Sequence, residues 1–165
     1  MTHVIQRDAI ESDERYVDEA LRRAEEAFVR GDWPVAAVIV RDGVVLGVGQ
    51  NRQNTEADVT VHAELDAIRV ATRAHGAARV AGATLYSTME PCPMCAFALK
   101  LAGIRRLVLG LRHATLERTD LGAYTVESFC DLVGYALELT TGVREAECWA
   151  LRRRWGKDAV SRMLQ

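Results

Sequence analysis

The chain has no basic excess: 21 Lys and Arg stand against 23 Asp and Glu, a net charge of -2. A protein that lives on nucleic-acid phosphates usually carries the opposite balance, so a long polyanionic partner is not the first expectation. No apolar run approaches the ~20 residues a membrane helix needs, and no membrane partner is expected. The start, Met1 to Asp8, lacks the apolar h-region of a secretory signal. The cytoplasm is therefore the expected compartment. No internal repeat, low-complexity tract or Pro/Gly/Ser linker interrupts the 165 residues. They are read as one domain over 1–165, with 141–165 as a helical tail. Cysteine is sparse, at Cys92, Cys95, Cys130 and Cys148. In a reducing compartment these are expected as thiols or metal ligands, not a disulfide framework.

What is present suits a globular domain. An apolar share of 49% and a charged share of 27% allow a buried core and exclude the disordered class. Tyr16, Val17, Ala20, Leu21, Ala24, Phe28 and Val29 recur at helical spacing and predict a helix over 14–30, capped by Gly31. Apolar, β-branched runs at 34–40 and 44–48 flank Asp42-Gly43, a two-residue hairpin signal. Further helices are expected over 62–72, 91–101, 126–135 and 143–164, the last with a bend at Gly156. Further strands are expected over 83–89, 106–111 and 136–139, and 112–125 reads as a loop. Helix, hairpin, then alternating helix and strand predicts an α/β layered domain with helices on both faces of a mixed sheet.

Two short segments carry chemistry. One is Val61-His62-Ala63-Glu64; the other is Glu90-Pro91-Cys92-Pro93-Met94-Cys95-Ala96. Each falls where a helix starts. Cysteines three apart share a helical face, and in a first turn the unpaired backbone N–H groups favour thiolates, the metal-binding form. A neutral His62 imidazole adds a third ligand suited to zinc. A structural zinc site is closed by four protein ligands, whereas a catalytic one leaves a place for water. Only three are evident, and the Glu64 carboxylate two residues from His62 is suited to move a proton. Two competing readings stay open. One is a redox dithiol at Cys92 and Cys95, which leaves His62 and Glu64 unexplained. The other is a closed structural site completed by His113, Cys130 or Cys148.

His62-Ala63-Glu64 followed by Pro91-Cys92-Pro93-Met94-Cys95 resembles the H-x-E…P-C-x-x-C signature of the cytidine-deaminase-like superfamily of zinc deaminases. Residues 34–40, Gly49-Gln50-Asn51 and the run from Thr84 to Cys92 resemble its cytosine, guanine and tRNA adenosine deaminase branch. The likeness covers roughly residues 14–112. It implies a three-layer α/β/α sandwich around a five-stranded mixed sheet and one zinc ion per chain on His62, Cys92 and Cys95. Glu64 would be the catalytic acid and base. Asn51 and the backbone N–H of Ala63 would hold the substrate. Family enzymes usually form dimers, so a homodimer is expected. A catalytically silent relative that only binds a base or a partner is the remaining alternative.

Other candidates rest on position. His113, Asp120 and Tyr124 follow a strand, where α/β sheets place their sites, and are expected to bind substrate. Asn51 also fits a simple turn role. Trp33, Trp149 and Trp155 read as packing residues, and Arg152, Arg153, Arg154 and Lys157 as a solvated helix face. The tRNA branch usually has Asp-Pro-Thr-Ala before its His-Ala-Glu, whereas this chain has Asp58-Val59-Thr60-Val61. Its Asp-x-Lys and Gly-Ala-rich stretch is also missing from 111–120. These departures and the acidic balance favour a small heterocyclic substrate (cytosine, guanine or aminotriazine type), with tRNA or a nucleoside as the alternative.

Overall fold

The computed structural model describes residues 2–118 and 120–163, with side chains over 10–118 and 120–156. His3 and Lys157 lie outside the described side chains. The first helix, α1 (Thr2–Arg30), begins well before residue 14. No apolar stripe marks this extra length. At residue 13 the helix is anchored by Asp13, buried and held bidentately by Arg106 at 2.8 and 2.7 Å. At the other end Gly31 adopts φ 97°, its N–H donating to Phe28 while Asp32 N–H reaches Ala27. That pattern is the Schellman cap, which needs a residue without Cβ penalty.

The hairpin joins β1 (Ala36–Arg41) to β2 (Val44–Gln50). Asp42 and Gly43 both take positive φ, 52° and 74°, as a type I′ turn requires. There follow α2 (Ala63–His75), a one-turn α3 (Ala77–Val80) not foreseen from the sequence, β3 (Thr84–Met89) and α4 (Pro93–Leu101). Pro93, not Pro91, opens α4, because the ring tolerates only the first helical turn. Next come β4 (Arg106–Leu111), α5 (Val126–Val133), β5 (Glu138–Thr140) and α6 (Glu145–Met163). A reciprocal Thr125–Ser128 capping box starts α5. Helix α6 runs through Gly156 without interruption.

The strands form one five-stranded sheet in the order β2-β1-β3-β4-β5. β1 is antiparallel to β2 and β3, whereas β3-β4-β5 are parallel, with α4 and α5 as crossovers. Alternate side chains of β1 serve opposite cores, as the pleat dictates. Ala37 and Ile39 pack with Ala63, Ala67 and Ala71 of α2 and Leu99 of α4. Val38 and Val40 pack with Val17 and Ala20 of α1. Leu151 and Trp155 of α6 join Ala24 and Phe28 on that second face. This is the expected three-layer α/β/α sandwich. No helix among the described residues is long and apolar enough to cross a membrane.

The topology decides where a site can form. The carboxyl ends of β2, β3 and β4 and the start of β1 share one edge of the sheet. Asn51, Glu90 to Cys92, Arg112-His113 and Trp33 to Val35 all emerge there.

Candidate active site

Two helix starts meet at this edge. His62 is the N-cap of α2 and Cys92 the N-cap of α4; neither side chain caps its own helix, which leaves both free for other work. Cys95 lies in the first turn of α4 and is fully buried. The position of α2 follows from small residues. A Cβ at Gly49 would lie 2.1 Å from the Ala63 carbonyl oxygen, and one at Gly47 would lie 2.7 Å from that of Ala67. Only glycine lets β2 approach α2 this closely. Asp66 of α2 also accepts the Gln50 N–H at 3.0 Å. His62 and Glu64 are thus locked to the sheet by a seam of glycine and alanine.

His62 Nδ1 lies 3.6 Å from Cys92 Sγ and 3.5 Å from Cys95 Sγ, and the sulfurs are 3.7 Å apart. Tetrahedral zinc, with Zn–S about 2.3 Å and Zn–N about 2.05 Å, requires about 3.8 Å between sulfurs and about 3.5 Å from sulfur to nitrogen. The donor triangle fits that ion. Among the described residues no fourth His, Cys, Asp or Glu joins the cluster. Cys130 and Cys148 are free thiols; Cys148 packs against Gly110 of β4, where a Cβ would lie 2.3 Å from its sulfur. His113 is a cavity residue outside the triangle. The closed structural site therefore has no support.

The three donors lie close enough to perturb one another. A contact from Cys95, opposed by burial and aided by His62, pulls Cys92 down to about 4. The same Cys92 contact, with burial, pushes Cys95 well up, and Cys92 raises His62. Glu64 is buried against the triangle, and burial raises its carboxyl above the usual range. Ser87 Oγ approaches Glu64 Oε1 at 3.3 Å.

These groups open into a cavity of about 510 Å³ lined by His62, Ala63, Glu64 and Cys92 on one side. Asn51, His113 and Asp120 also line it. Asn51 combines both of its expected roles. Its Oδ1 accepts the Gln53 N–H at 3.1 Å, an Asx turn, while its Nδ2 donates to Gln53 Oε1 at 2.8 Å inside the cavity. The ring nitrogens of His113 are buried and find no protein partner, and burial keeps the ring below its usual pKa. Tyr124, expected in the pocket, does not line it. Its hydroxyl donates to the Pro91 carbonyl at 2.7 Å and its ring backs onto His113, so it supports the wall from behind.

Five polar or aromatic cavity residues are absent from the sequence-derived candidates: Trp33, Gln53, Glu90, Arg118 and Arg152. Trp33, taken as packing, stacks under the Arg152 guanidinium at 4.7 Å. The solvated arginine face of 152–154 is split: Arg152 faces the cavity, Arg153 is exposed, and Arg154 pairs with Glu25 at 2.8 Å. Helical periodicity carries no signal that α6 would fold back over the sheet edge. Glu90 was legible only as part of a motif. It accepts from Arg112, His113 N–H and Val126 N–H, at 3.0, 2.9 and 2.9 Å, and so ties three elements together.

Residues 10–111 match the family described as the cytidine and deoxycytidylate deaminase zinc-binding region. The chain belongs to that family. A tRNA-specific adenosine deaminase of Bacillus subtilis (strain 168) is 36% identical over 138 residues, spanning 82% of this chain and 83% of that protein. A solved structure from work on A-to-I editing by tRNA:A34 deaminases shares 37% identity and a TM-score of 0.72, over 83% of this chain and 98% of that one. The guanine deaminase structure from Bacillus subtilis shares 35% identity and a TM-score of 0.60, over 66% of this chain and 69% of that one. The chain is a hydrolytic deaminase of this zinc-binding family, and zinc is its cofactor.

Proposed function

We propose that this deaminase acts on adenosine within an RNA stem-loop of the tRNA anticodon kind, converting the exocyclic amine to the carbonyl of inosine and releasing ammonia. The observation that carries the reaction is the three-donor triangle with the buried Glu64 carboxyl beside it, open to one cavity. Similarity to tRNA-specific adenosine deaminases along four-fifths of both chains supports the substrate. This reverses the preference for a free base drawn from net charge and from residues 58–61. Net charge averages the whole surface, whereas binding depends on the charge that lines the cavity.

Zinc on His62, Cys92 and Cys95 supplies a Lewis acid that makes water nucleophilic near neutral pH. Glu64 would take one proton of the attacking water and deliver it to a ring nitrogen, then take the remaining hydroxyl proton and pass it to the amine, which leaves as ammonia. Its burial serves this role, because an acid or base works best when its pKa approaches the working pH. Ser87 steadies one carboxyl oxygen. The Ala63 N–H, left without an intrahelical acceptor at the start of α2, and the Asn51–Gln53 pair orient the base. The neutral His113 ring offers one donor and one acceptor to its edge.

An ammonia-release screen tests the reading across an anticodon stem-loop, adenosine, adenine, guanine and cytosine. Turnover of the stem-loop with none of the free bases is expected. Turnover of a free base alone overturns it. A free purine base is the second reading, favoured by the likeness to a guanine deaminase, and the same screen separates the two. The proposal includes a homodimer. Met94, Phe97 and Leu101 form one exposed stripe of α4 beside the site, 38%, 46% and 75% exposed. Phe97→Glu is expected to yield a monomer by light scattering; an unchanged mass excludes this face.

A further inference from the structure

Among the described residues, one charge on the cavity wall has no counterpart. Of the acidic groups lining the cavity, Glu90 is matched by Arg112 and Asp120 by Arg118, while Glu64 lies beside Cys95 and Ser87. Arg152 remains. Among the described residues no carboxylate lies within ion-pair reach of it, and its Nε is buried with no hydrogen-bond partner. The face of its guanidinium is held on the Trp33 ring at 4.7 Å. Cation–π stacking engages the face of the group and leaves its N–H edge for a ligand.

The surroundings sharpen the point. Arg118 lines the same cavity. Burial and the like charge of Arg118 hold Arg152 below its ordinary pKa. A half-buried guanidinium beside another, without a carboxylate of its own, is costly unless an anion joins it. A neutral base carbonyl accepts a hydrogen bond but does not offset the charge. A phosphate does both, and the arginine fork matches its oxygens. The cavity of about 510 Å³ also lies in the range that encloses ligands larger than a bare base.

We propose that Arg152, stacked on Trp33 and set beside Arg118, binds a phosphate of the substrate, so that the deaminase recognises a nucleotide unit rather than a free base or nucleoside. The inference rests on the reading that this cavity takes the base. The phosphate has two possible sources, a free 5′-mononucleotide or the backbone of an RNA strand. In either case Arg152 contributes through one tail helix what the net charge of the chain conceals.

The test uses the zinc-loaded full chain. Calorimetry measures binding of adenosine, adenosine 5′-monophosphate and the stem-loop RNA to wild type, Arg152→Ala, Arg152→Lys and the exposed neighbour Arg153→Ala. Ammonia release is followed on the same panel, and melting curves establish that each variant is folded. The expected result is at least a tenfold loss of affinity for the phosphate-bearing ligands in Arg152→Ala relative to any loss for adenosine. Arg152→Lys should be intermediate and Arg153→Ala unchanged. Arg152-dependent binding of the mononucleotide assigns the phosphate to a free nucleotide; dependence seen with RNA alone assigns it to the strand. Equal losses on adenosine and its phosphate-bearing forms, or no loss on any, overturn the inference. Failure to release ammonia from every adenosine form overturns the adenosine reading, while the binding comparison still decides the role of Arg152.

Discussion

The two walls of the cavity are built differently. The wall that carries His62, Glu64 and Cys92 stands on two helix starts, with α2 pressed onto the sheet through glycine and alanine, and its donors converge with the buried Cys95 on one point. The other part, with His113, Arg118, Asp120 and Arg152, comes from a loop and from α6. Its buried polar atoms on His113 and Arg152 lack protein partners. The first wall is satisfied by its own sequence neighbours and a metal. The second leaves buried polar atoms open to water or a ligand, since such groups are ordinarily hydrogen-bonded.

The largest break in that comparison should come from the first wall. Glu64→Gln is expected to keep the zinc and the fold but lower kcat by about 10²–10⁴-fold, the usual worth of acid–base catalysis. Zinc content and single-turnover ammonia release check it; an undiminished rate removes Glu64 from the mechanism. Glu90→Gln comes next. Its amide must point an N–H₂ at one of the donors that Glu90 now accepts, so about 2–3 kcal/mol of stability should be lost, with KM rising more than kcat as His113 shifts. Thermal melts and steady-state kinetics measure both.

Gly49→Ala tests the seam. The new methyl meets backbone that cannot yield cheaply, so about 1–3 kcal/mol should be lost and kcat should fall as His62 and Glu64 move together. Denaturant titration with kinetics reads this; a wild-type kcat would show that α2 tolerates displacement.

The smallest effect concerns Asp32, which is fully buried. Burial alone would raise its carboxyl, but hydrogen bonds from Thr55, Arg30 and the Asn54 N–H outweigh it and hold the group below its usual pKa. A depressed carboxyl contributes stability that is fully present above its unfolded pKa, about 3.9, and lost as pH falls through the folded value. Asp32→Asn should cost about 1–2 kcal/mol at neutral pH and flatten the loss of stability below about pH 4. Melting curves from pH 3 to 7 decide it, and parallel acid limbs would exclude Asp32 as their source.

Legibility in the sequence followed the same division. The hairpin at Asp42-Gly43, strand β4 and the zinc triangle were readable because turn chemistry, apolar runs and C-x-x-C spacing are local signals. The anchor of α1 at Asp13 is not legible in the sequence, because its partner Arg106 is 93 residues away. Tyr124 was placed in the pocket because sequence locates a loop but not which way its side chains turn. Arg152 was read as solvated because its stacking on Trp33 joins residues from opposite ends of the chain.

The sequence by itself determined the chemistry: H-x-E and C-x-x-C fix ligand type and the helix-start environment, and both act over a few residues. Only the tertiary structure decided the rest of the cavity. The parallel strand ends and the return of α6 bring Trp33, His113, Arg118 and Arg152 to one cavity, and contacts between groups so far apart along the chain leave no local pattern to read.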